Sequence, residues 1–183
     1  MDDRKRFTLA VQVDNEAGVL SQVSRMFSRK GYNIESLAVG TTADPSISRM
    51  TIEVLTDDNH VRLLCNQLCK LLPVHSVKLL EPSQSIRREL LLVKVSTPTS
   101  EVRNEVIQMT NIFRGTVLDV FPDTLVISVI GDERKTEAVQ NLFQGFGIVE
   151  LVRTGIVALE RGQYTIDEET KEKGEFNYGK NVL

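Results

Sequence analysis

The sequence predicts an α+β protein built of two βαββαβ units in tandem, each an antiparallel sheet with its helices on one face. Three observations carry this. Phe7, Leu9, Val11 and Val13 alternate with polar or small residues at the two-residue period of a half-buried strand. Val19, Leu20, Val23, Met26 and Phe27 then fall on one stripe of an amphipathic helix. The whole order of elements starts again after roughly 80 residues, as an internal duplication does.

The first unit reads as strand 7–13, helix 18–30, strand 34–42, strand 48–55, helix 58–71 and strand 74–80. The second helix takes its apolar stripe from Val61, Leu64, Leu68 and Leu72. Glu81-Pro82-Ser83-Gln84-Ser85 is a polar joint, after which a strand at 88–96 opens the second unit. Val102, Val106, Met109 and Phe113 mark its first helix, and Pro122-Asp123 turns strand 116–121 into strand 124–130. Val139, Leu142, Phe143 and Phe146 mark a fourth helix, and 148–159 closes the unit. The expected domains are therefore 1–81 and 86–162, with 163–183 a charged, mobile tail.

Composition narrows the function. The 22 Lys and Arg against 25 Asp and Glu give a net charge of −3, and the aromatic fraction is 5%. An RNA-binding module of the same βαββαβ order needs a basic face and aromatics on its central strands, so the composition argues against it. The polar first residues and the absence of any long apolar run imply neither a leader nor a membrane span, and hence a bacterial-type cytoplasmic location, or a plastid for a mature form. Cys65 and Cys69 read as core thiols. Zinc held by them with His60 and His75 would need the spacing H-x4-C-x3-C-x5-H, which fits no familiar finger, and Pro73 interrupts the segment.

Catalytic signatures are missing. There is no G-x-S-x-G, H-E-x-x-H or G-x-x-x-x-G-K-[ST]. Gly145-Phe146-Gly147 leads from helix to strand, the reverse of a dinucleotide-binding turn. Asp57-Asp58 and Asp132-Glu133 sit where helices begin and read as caps. A freestanding enzyme on this fold is disfavoured, and a binding protein is favoured.

The informative segment is the turn Asp14-Asn15-Glu16-Ala17-Gly18-Val19-Leu20, answered after one helix by Gly31-Tyr32-Asn33-Ile34-Glu35-Ser36. Amides at a helix N-terminus suit a carboxylate, and Gly18 lets the backbone approach it. The carboxamides of Asn15 and Asn33 can orient either end of an amino acid, while Val11, Val13, Leu20, Ile34 and Val39 are candidates for an apolar wall. Asp14 or Asn15 merely capping the helix accounts for the same residues without a ligand. In the second unit Thr97-Pro98-Thr99-Ser100-Glu101 replaces this turn, so that copy keeps the scaffold without the ligand loop.

The run DNEAGVLSQVSRMFSRKGYNIESLAVGTT, continued by DPSISRMTIEV, resembles the N-terminal ACT domain of the small, regulatory subunit of acetohydroxyacid synthase, also called acetolactate synthase. The likeness continues through Leu91-Leu92-Val93-Lys94-Val95, Ile112-Phe113-Arg114-Gly115 and Arg153-Thr154-Gly155, spanning about residues 5 to 162. It implies two ferredoxin-like domains, the first an ACT domain and the second ACT-like. It implies valine or another branched-chain amino acid bound where two ACT domains meet, with Asn15, Gly18 and Asn33 on motif positions and Glu16, Ala17, Val19, Leu20 and Ile34 beside them. It further implies a homodimer without a catalytic site or bound cofactor, partnered by a catalytic subunit that carries thiamine diphosphate, Mg and FAD. A freestanding amino-acid sensor acting on another enzyme is the alternative within the same fold.

Overall fold

The computed structural model describes residues 4–166. Among these, 4–86 and 158–166 form one compact unit and Arg87–Val157 a second. Of the mobile tail expected at 163–183, residues 163–166 are instead packed in the first unit, with Ile166 buried, and those from 167 onward lie outside the described residues.

The first unit contains β1 (Lys5–Asp14), α1 (Val19–Arg29), β2 (Ser36–Thr41), β3 (Ile47–Thr56), α2 (Asp58–Cys69) and β4 (Val74–Leu80), the βαββαβ order expected. Its strands lie in the order β2-β3-β1-β4, with each neighbouring pair antiparallel. Register makes the two faces different. Val11 opposes Met50 and Val77, and Leu9 opposes Ile52, so these residues share the face on which α1 and α2 lay Val23, Phe27, Leu64 and Leu68. Cys65 and Cys69 are buried in the same core. Leu72, assigned to that stripe by spacing, is 95% exposed because α2 ends at Cys69 and Leu72 has left the helical register.

The other face is polar and closed. Thr8, Thr51, Glu53, Ser76 and Lys78 are all buried on it. The segment 158–166 returns to this face: Arg49 donates to the Ala158 carbonyl at 3.0 Å, Lys78 donates to the Thr165 carbonyl at 3.0 Å and pairs with Glu160, and Ile166 is buried. Residues 158–162, expected at the end of the C-terminal domain 86–162, cluster with the first unit. A local reason is visible in the chain. The single closing strand expected at 148–159 is two strands, β8 (Ile148–Arg153) and β9 (Val157–Glu160). Gly155 between them has φ 78, a left-handed conformation that turns the chain out of line.

The second unit comprises most of β5 (Ser85–Ser96), then α3 (Ser100–Ile112), β6 (Thr116–Val120), β7 (Thr124–Gly131), α4 (Glu133–Gln144) and β8, with strand order β6-β7-β5-β8. Leu91, Val93 and Val95 of β5 and Leu125, Ile127 and Val129 of β7 pack against Val106, Val139 and Phe143 of its helices. Two of the acidic pairs act as expected. Asp57 accepts from the amides of Asn59 and His60, and Asp132 accepts from that of Lys135.

The C-terminal ends of α1 and α3 are bonded alike but differ in where glycine stands. After α1 the Tyr32 amide donates to the Phe27 carbonyl, with Gly31 left-handed at φ 74; after α3 the Gly115 amide donates to the Thr110 carbonyl, with Arg114 left-handed at φ 51. Gly31 therefore corresponds to Arg114, and Gly115 is glycine for another reason. A Cβ on it would lie 2.9 Å from a Val129 methyl and 3.0 Å from the Ser128 carbonyl oxygen. Gly115→Ala should destabilise the second unit by about 1–3 kcal/mol through overpacking, whereas Arg114→Gly should be neutral or stabilising by up to about 1 kcal/mol. Urea unfolding of both variants checks this, and equal midpoints for the two would contradict it.

Candidate functional site

The turn from β1 into α1 is built around Gly18. Its φ of 90 and ψ of −12 are conformations that L residues avoid, and no atom lies within 4 Å of where a Cβ would stand. The Gln22 amide donates to the Gly18 carbonyl at 3.0 Å to start the helix. No side chain caps α1 and no acidic residue occupies its first turn. Each of the other three helices among the described residues has a side-chain cap, from Asp57, Thr99 and Asp132. At α1 the amide end and its partial positive charge therefore stay open to an anion.

Neither residue expected to cap α1 does so. Asp14 pairs instead with His75 of β4, Oδ1 to Nε2 at 2.6 Å. Asn15 is spent on the hairpin between β2 and β3: its Nδ2 donates to the Pro45 carbonyl at 2.9 Å, its Oδ1 accepts from Ser48 Oγ at 3.0 Å, and its backbone amide donates to the Ser46 carbonyl at 2.7 Å. Asn15 thereby clamps the turn and its neighbour together. That hairpin, residues 42–46, is the part of the site that sequence reasoning missed. Its Asp44 accepts from the hydroxyl and the amide of Ser46 at 2.7 and 2.9 Å, and these bonds hold the Asp44 carboxyl below its ordinary pKa. The Asp44-Pro45-Ser46 tripeptide was a legible turn signal.

The remaining candidates separate. Glu16 and Ala17 are exposed on the turn, and the Glu16 carbonyl accepts from the Val19 amide at 3.4 Å. Val19 is buried in the core, so only its backbone faces the turn. Val11 and Val13 are likewise core residues and cannot wall a ligand; Ile34 is half-buried against the same core. Leu20 and Val39, the latter on edge strand β2, are the two of the five apolar candidates that remain exposed.

Asn33 is not beside Gly18 in the same chain. It follows the far end of α1, an 11-residue helix that spans about 16 Å. Two residues on, the Glu35 amide donates to the Glu53 carbonyl, and Glu53 opposes Thr8 near the start of β1, on the order of 20 Å of extended strand from Asn15. Asn33 Nδ2 donates to Glu35 at 2.7 Å. An amino acid touching both asparagines must therefore lie between two chains.

Among the described residues no group of three or more His, Cys, Asp or Glu could hold a metal ion, and no helix is long and apolar enough to cross a membrane. His60 pairs with Asp57 at 2.6 Å rather than with a nucleophile.

Comparison with known proteins agrees with this architecture. Residues 9–76 match the family model described as the AHAS small subunit-like ACT domain, and residues 88–162 that described as the small subunit of acetolactate synthase. An acetolactate synthase small subunit from Aquifex aeolicus is 46% identical over 92% of this chain and 87% of its own. A probable acetolactate synthase small subunit from Methanothermobacter thermautotrophicus is 44% identical over 86% of this chain and 94% of its own. The crystal structure of the acetolactate synthase small subunit from Thermotoga maritima superposes with a TM-score of 0.81 at 34% identity, covering 87% of this chain and 99% of that one. With two βαββαβ units, a glycine turn at an uncapped helix and these matches along both, the chain belongs to the acetolactate synthase small-subunit family, a regulatory subunit with an ACT domain as its first unit.

Proposed function

We propose that this chain raises the activity of a separate acetolactate synthase catalytic subunit and confers feedback inhibition by valine or another branched-chain amino acid, in the biosynthesis of valine, leucine and isoleucine. The observation that carries the effector is the uncapped amide end of α1 with Gly18 at φ 90. The ligand carboxylate takes the place of the absent cap, accepting from the first-turn amides. Its aliphatic side chain meets Leu20 and Val39, and Asn33 of a second chain completes the enclosure, which makes the functional unit a homodimer through the ACT domains. Inhibition follows from linkage: the ligand shifts the complex toward the conformation it binds more tightly, by no more than its differential affinity. Thiamine diphosphate, Mg and FAD belong to the catalytic partner, which condenses pyruvate with pyruvate or 2-oxobutyrate.

The test is reconstitution. The chain alone should form no acetolactate from pyruvate; mixed with the catalytic subunit of its organism it should increase the rate, and valine should reverse the increase. Turnover of pyruvate by the pure chain would refute the non-catalytic role. Valine binding without any effect on the catalytic subunit would instead support a freestanding sensor.

A further inference from the structure

The outer side of the helical layer of the first unit carries a groove of about 340 Å³ between α1 and α2. Arg25, Arg29 and Lys30 line it from α1, Gln67 and Leu71 close the α2 side, and Met26 lies in its floor. No carboxylate lines it. None of the three cations has an ion-pair partner among the described residues, in a chain whose acidic side chains outnumber its basic ones by 25 to 22. The dipole of α1 accounts for Arg29 and Lys30 at its C-terminal end. It does not account for Arg25, which lies a full turn earlier and four residues from Arg29, a like-charge spacing that costs an isolated helix a few tenths of a kcal/mol. That cost is not offset among the described residues. Leu72, the next residue after Leu71 in the chain, is not in the groove's lining but is 95% exposed beside it.

We infer that this groove docks an acidic segment of a partner polypeptide, its carboxylates on Arg25, Arg29 and Lys30 and an apolar residue on Met26, Leu71 and Leu72. The inference rests on the functional reading above, which makes the partner the catalytic subunit. One rigid element then serves both events. α1 presents its N-terminus to the effector and its C-terminal half to the partner, so a shift of α1 on effector binding is felt in the groove without any intervening chain.

The experiment compares the full-length wild-type chain, R25E/R29E/K30E and the neutral R25Q/R29Q in titrations against the catalytic subunit at low and high salt. The cations are exposed, so both variants should fold, and the free variants should bind valine as the wild type does in calorimetry. Charge reversal should weaken association at least tenfold and flatten its salt dependence, and the neutral variant should fall between. Unchanged affinity and salt dependence in the reversed variant would overturn the docking site while leaving the functional reading intact. A wild-type chain that does not associate with the catalytic subunit would overturn both. Inorganic pyrophosphate binding to the free wild-type chain, lost in R25Q/R29Q while partner association is kept, would reassign the groove to a small anion.

Discussion

Gly18→Asp should abolish valine inhibition of the reconstituted enzyme while the variant still binds and activates its catalytic partner. The substitution places a carboxylate at the helix end that the effector carboxylate would occupy. Two such charges about 4 Å apart, at an effective dielectric near 20, repel by up to about 4 kcal/mol, and about 1.4 kcal/mol already removes tenfold in affinity. The backbone sets a separate, smaller effect. At φ 90 any L residue is strained by about 1–2 kcal/mol, though Asp tolerates this region better than most and its Cβ would meet nothing within 4 Å. Gly18→Ala carries the strain without the charge and divides the two terms. Valine titrations of Asp, Ala and wild-type chains, with a melt of each, make the comparison. If the Asp variant kept a wild-type inhibition curve, the β1–α1 turn would be removed from the effector site.

The position of Asn33 sharpens that test. Asn33→Ala should weaken valine response in the same direction and less severely. Asn33 lies at the opposite end of α1 from Gly18, so in the proposed dimer each site would draw its turn from one chain and its Asn33 from the other. A mixed dimer of Gly18→Asp and Asn33→Ala chains then contains one site with both defects and one with neither. Mixing the two impaired variants should restore part of the valine inhibition. No recovery on mixing would place the whole site within one chain.

Periodicity made the elements legible, because Leu9, Val11 and Val13 or Val23, Met26 and Phe27 can be buried together in only one secondary structure. Asp57 and Asp132 were readable as caps because a short acidic side chain before a helix has few other uses. Asn15 and Gly18 were readable as a pair, but not the division of labour between them. Whether Asn15 reaches a ligand or the Pro45 carbonyl depends on a hairpin 30 residues away, and local sequence does not encode that distance. Asn33 differs: the helix expected at 18–30 already set it a helix length away from Gly18, but which residues its side chain meets, Glu35 among them, was not readable. Leu72 misled because a four-residue spacing continues past the point where the helix stops. The return of residues 158–166 was hidden most completely. Its signal is Gly155, one glycine in an otherwise strand-like run, while its partners Arg49 and Lys78 lie more than 80 residues before the residues they meet.

That return leads to the second large effect, on stability. Lys78 and Glu160 are 7% and 13% exposed, with Nζ and Oε2 2.6 Å apart, and Lys78 also donates to the Thr165 carbonyl. Removing one charge strands the other in a place that water reaches poorly, which costs about 3–5 kcal/mol for a buried pair. Lys78→Met, which keeps the length of the side chain, should therefore destabilise the first unit by about that amount, and Glu160→Gln by somewhat less, since an amide still satisfies part of the site. Combining them should cost less than the sum of the two, because neither charge is then left alone. With two units in the chain, denaturation need not be a single transition, so hydrogen exchange at β1 and β4 is the readout that assigns the loss to the first unit. Protection there that is unchanged in Lys78→Met would show that the return segment contributes nothing to the ACT domain. The outcome also governs how the effector site is studied: a fragment ending near residue 82 lacks Glu160 and Ile166, so its self-association would report on an ACT domain with one sheet face uncovered.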